Sequence, residues 1–96
     1  MAKRILTRKE VSLMLQQIPT NDTELLELML DILIYAVEDF PQVNLSKLTS
    51  ALMDLDEGFS TNDKDTDAFI KSKKYIKRCS LKLWDYVQTQ FQNMYE

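Results

Sequence analysis

Residues 21–39, Asn21-Asp22-Thr23-Glu24-Leu25-Leu26-Glu27-Leu28-Met29-Leu30-Asp31-Ile32-Leu33-Ile34-Tyr35-Ala36-Val37-Glu38-Asp39, decide the fold class. Apolar side chains fill Leu25, Leu26, Leu28, Met29, Leu30 and every position from Ile32 to Val37, while Glu24, Glu27, Asp31 and Glu38 leave only a narrow polar stripe. Read alone, Ile32 to Val37 would pass for a buried strand, but its leucine-rich flanks and the length of the stretch specify a helix. Asn21 is the expected cap, and Glu24 falls in the first turn, where the helix dipole favours an acid. A helix apolar around most of its circumference must be covered on nearly all sides. It is therefore expected at the centre of a bundle, or partly covered by a second subunit.

Upstream, Thr7-Arg8-Lys9-Glu10 has the form of a capping box, with Leu6 and Val11 placed as a hydrophobic staple. Val11, Met14, Leu15 and Ile18 then make one apolar face, and Pro19 forces Ile18 out of helical geometry. Downstream of the Pro41 break, Asn44 or Ser46 can cap a third helix through Leu45, Leu48, Ala51, Leu52 and Leu55 to Glu57, with Gly58 as the left-handed residue that follows it. Ser60 to Asp67 is wholly polar and reads as an exposed loop. From Ala68 to Met94 there is neither Gly nor Pro, and Phe69, Ile76, Leu83, Val87, Phe91 and Met94 form a stripe joined by Cys79 and Tyr86. A continuous helix of about 27 residues would span roughly 40 Å, so it must overhang the others or break near Cys79-Ser80. The expected fold is all-α: a single domain over residues 1–96, a small bundle of about four helices with a long C-terminal helix. Leu26, Met29, Leu33, Val37, Leu48, Leu52, Ile76, Leu83 and Val87 are its expected core.

Composition supports this and narrows the chemistry. Of 96 residues, one is Gly and two are Pro, too few for the turns of an all-β domain, and 45% are hydrophobic, enough for a core. Histidine is absent and Cys79 is the single cysteine, which excludes zinc fingers, histidine acid/base catalysis, Cys-His nucleophiles and an intramolecular disulfide. The acids at 54, 56, 57, 63, 65 and 67 do not keep calcium-loop register, since Gly58 falls at position 5 when Asp54 is position 1. The pair Glu27/Asp31 lacks an enclosing cleft, and Cys79, despite Lys77 and Arg78 beside it, falls on the apolar stripe as a small buried hydrophobe. No enzyme activity, metal, cofactor or small-molecule substrate is expected. The longest uncharged apolar run is six residues, too short for a membrane span or a secretory core, so the expected compartment is the cytoplasm.

Charge is distributed unevenly. Residues 10–67 carry thirteen acids against Lys47 and Lys64, whereas residues 68–82 carry Lys71, Lys73, Lys74, Lys77, Arg78 and Lys82 and no acid. The basic block permits nucleic-acid binding through Lys71–Lys82, but the net charge of −3 disfavours it, since such domains are usually basic throughout. The leading expectation is a non-enzymatic protein-binding accessory or regulatory domain that self-associates as a homodimer. Its expected contact residues are Lys73, Lys74, Lys77, Arg78 and Trp84, together with Val87, Phe91, Met94 and Tyr95 at an overhanging helix end. In size and four-helix layout the chain is similar to small bacterial immunity proteins and phage- or plasmid-encoded inhibitors. That likeness is one of architecture, which does not carry function; the alternative expectation is a small inhibitor or immunity protein of phage, plasmid or bacteriocin type that neutralises a specific target.

Overall fold

The computed structural model describes residues 8–18 and 20–95 and is all-α among them. Five helices run in chain order: α1 Arg8–Leu15, α2 Thr23–Asp39, α3 Leu45–Thr61, α4 Asp67–Cys79 and α5 Leu81–Tyr95. The Thr7 capping box, its Leu6 staple partner and the Pro19 stop lie outside the described residues. The chain divides into two compact units, Met1–Val43 and Asn44–Glu96.

In the first unit α1 packs on α2. Val11 and Leu15 are buried, and after Leu15 the chain tightens into i to i+3 turns, Gln17 N–H to Met14 carbonyl and Ile18 N–H to Leu15 carbonyl. Asp22, not Asn21, caps α2: its carboxylate accepts the Leu25 N–H at 3.0 Å, three residues on, which is the reach a capping side chain needs. Leu25, Met29, Ile32, Leu33 and Ala36 form the buried face of α2. Leu26 and Val37, expected in the core, are half-buried because the 100° step places them at the margin of that face. The stripe Glu24, Glu27, Asp31 and Glu38 is exposed throughout.

In the second unit α3, α4 and α5 pack against one another in pairs. Asn44 caps α3, its side-chain oxygen accepting the Lys47 N–H at 3.0 Å. The helix continues one turn past Glu57. Gly58 is helical and buried, and the left-handed residue is Asn62, at φ 57°. Asp63 N–H reaches the Gly58 carbonyl and Asn62 N–H the Phe59 carbonyl, the paired bonds of a Schellman ending. Glycine at 58 serves a close approach instead: a Cβ there would overlap Cδ2 of Phe69. Thr66 caps α4 through its hydroxyl to the Phe69 N–H.

The expected long C-terminal helix is two helices. Ser80 lies in extended geometry and terminates α4 with its N–H on the Ile76 carbonyl at 3.0 Å. Its hydroxyl accepts from Lys82 N–H at 3.1 Å and from Leu83 N–H at 3.4 Å, and its carbonyl accepts from Trp84, so the same residue starts α5. This break removes the overhang. Val87 and Phe91 are fully buried, with Phe91 stacked flat on Phe59 at 5.3 Å and Phe59 meeting Phe69 edge-on at 5.4 Å. Tyr95 anchors the end of α5 to α3 through its hydroxyl to the Asp56 carboxylate. Among the described residues, no helix is long and apolar enough to cross a membrane.

Candidate partner-binding groove

Ile70, Lys73, Lys74 and Lys77 are spaced i, i+3, i+4 and i+7, so α4 holds them along one line. That line forms one wall of a groove of about 490 Å³. The opposite wall is Trp84, Gln88 and Gln92, spaced i, i+4 and i+8 on α5, and the α3–α4 loop closes one end with Lys64 and Asp65. Phe59, Phe69 and Trp84 lie at the bottom, each almost wholly buried. The result is an aromatic floor under a rim bearing four ammonium groups.

Two of those cations are placed by the floor. Lys64 Nζ stands 4.6 Å from the centre of the Phe59 ring and Lys73 Nζ 5.7 Å from that of Trp84. A cation over a ring face is attracted by its negative quadrupole, by about 0.5–1 kcal/mol at an exposed site. Their apolar stems meanwhile cover ring surface that water would otherwise wet. Lys74 and Lys77 are exposed.

The groove thus unites four of the nine residues the sequence singled out: Lys73, Lys74, Lys77 and Trp84. Arg78 is exposed but turned away, 100° further round α4 than Lys77. Lys71 is on that flank too, lining a shallower hollow of about 360 Å³ with Ser46, Ser50, Asp54 and Tyr75. Val87 and Phe91 are corrections: they are buried in the structure and offer no surface. Met94 is half-buried and Tyr95 is 37% exposed, both outside the groove lining. The sequence reading missed Lys64, Ile70, Gln88 and Gln92. The two glutamines carried a signal, helical spacing from Trp84, whereas Lys64 reaches the site only through the course of the loop.

Other reactive side chains are accounted for locally. Ser72, buried on α4, donates its hydroxyl to the Asp54 carboxylate at 3.3 Å, joining α4 to α3. Cys79, expected as a buried hydrophobe, is half-buried. The neighbouring Tyr75 phenol is raised above its ordinary pKa, first by burial and then by its hydrogen bond and charge coupling to Cys79. Among the described residues no cluster of acids and cysteine is arranged to hold a metal ion.

No family model matches the chain, and neither a curated protein nor a solved structure shows significant similarity to it.

Proposed function

We propose that the protein is a non-enzymatic binding domain that captures acidic polypeptide segments in the α4–α5 groove. The observation that carries this reading is the convergence of Lys64, Lys73, Lys74 and Lys77 above an aromatic floor in a cleft of about 490 Å³. An acidic helix with a few apolar side chains meets both requirements: its carboxylates face the ammonium rim, and its apolar groups displace water from Ile70 and the ring edges. Base stacking is poorly served, because a stacking platform needs an open ring face. Trp84 is only 6% exposed, with a lysine already over its ring.

Fluorescence anisotropy with a labelled helical Glu/Leu peptide, its Glu-to-Gln counterpart and a single-stranded oligonucleotide tests the reading. The Glu/Leu peptide should bind, its Gln counterpart should bind at least about tenfold more weakly, and Lys74→Gln with Lys77→Gln should weaken the first by about tenfold, or 1.4 kcal/mol. Failure of the Glu/Leu peptide to bind, or tighter binding of the oligonucleotide, overturns it.

A further inference from the structure

Every copy of this chain carries the complement of its own groove. The outward face of α2 presents Glu24, Glu27, Asp31 and Glu38, spaced i, i+3, i+7 and i+14, all exposed, and α2 contains no base. Half-buried leucine and isoleucine border this stripe, Leu28 on one side and Leu30 and Ile34 on the other. It is an acidic helix face with apolar shoulders, the ligand chemistry that the groove favours. The axial spacing matches as well. Glu27 and Asp31 are four residues apart, as are Lys73 and Lys77, and four residues rise about 6 Å along either helix. One pair of carboxylates can therefore oppose one pair of ammonium groups without strain in either element.

Resting on the groove reading, we propose that the acidic segment it captures is α2 of a second copy, so that the chain self-associates through reciprocal α2–groove contacts. A two-fold arrangement makes each pairing twice and closes the assembly as a dimer. The charge asymmetry of the sequence then has a physical role. The acidic excess over residues 10–67 and the basic block over 68–82 repel their like counterparts and attract each other, which orients two copies before contact. The dimer does not use Val87 or Phe91, which are buried.

Complementary charge reversal tests this contact. Sedimentation equilibrium at low salt should show the unmodified protein gaining mass with concentration. Lys74→Glu/Lys77→Glu and Glu27→Lys/Asp31→Lys, all at exposed positions, should each remain a single chain with unchanged circular dichroism. Mixing the two variants in equal amounts should restore the assembly, because the unaltered α2 of one then meets the unaltered groove of the other, and the lysines placed on α2 meet the glutamates placed in the groove. That recovery also excludes misfolding as the reason for loss. A single-chain mass for the unmodified protein at hundreds of micromolar overturns the proposal, as does a mixture that stays dissociated or an assembly indifferent to the lysine reversal. If the unmodified protein is a single chain yet still captures the Glu/Leu peptide through Lys74 and Lys77, self-recognition falls and the groove reading stands.

Discussion

Gly58 shows how one residue type can answer two structural demands that look alike in sequence. A glycine after a leucine-rich helical stretch is the ordinary mark of a left-handed helix ending. Here its φ is negative and the helix passes through it. What the position needs is the missing side chain: a Cβ would overlap the Phe69 ring and sit 3.0 Å from the Asp63 carbonyl oxygen. The ring has little freedom to retreat, because Phe69 is buried edge-on against Phe59. Gly→Ala within a helix normally stabilises by up to about 1 kcal/mol. Gly58→Ala should instead destabilise, by about 1–3 kcal/mol as for other overpacked cores. Urea unfolding measures it, and a midpoint equal to or above that of the unmodified protein would show that the α3–α4 contact yields.

At the scale of the element, Ser80 makes two helices out of a stretch whose composition allows one. Serine competes with the helical backbone by offering its own hydroxyl as an acceptor, and the N–H groups of Lys82 and Leu83 take it. The resulting break lets α5 return along α3, and so sets Trp84, Gln88 and Gln92 opposite the lysines of α4. Ser80→Ala removes the accepting oxygen at the start of α5 and should cost about 1 kcal/mol. It should also weaken capture of the Glu/Leu peptide, because the two walls lose their fixed junction. Thermal melting and anisotropy on the same sample separate the two effects, and unchanged binding would show that α4 and α5 are held in place by their packed faces alone.

For the molecule as a whole, the governing feature is the segregation of charge within a net of only −3. Recognition that depends on exposed lysines must weaken as salt shortens the reach of their field, from about 30 Å at 0.01 M to about 3 Å at 1 M. Glu/Leu peptide affinity should therefore fall by about tenfold or more across that range, with most of the change below about 0.15 M. Salt-independent binding would mean that the aromatic floor and Ile70 supply the affinity and the lysines only border it.

Helical class, a cap for α3 at Asn44 or Ser46, the polar α3–α4 loop and the line of three lysines on α4 were all legible in the sequence. Each depends on interactions within about four residues, a hydroxyl or amide reaching the next turn or side chains recurring at 3.6. Trp84 was legible for the same reason, as an aromatic residue beside an apolar stripe. The sequence could narrow the final stretch to a choice between overhang and break, because both satisfy the same periodicity. Only the tertiary structure decided it, through the stacking of Phe91 on Phe59, residues 32 positions apart in the chain, which the local bonds at Ser80 accommodate. Burial of Val87 and Phe91, the close approach at Gly58 and the arrival of Lys64 over Phe59 belong to the same category. A helix's own pattern shows which of its faces is apolar, but what covers that face is settled by elements distant in sequence whose packing no local signal records.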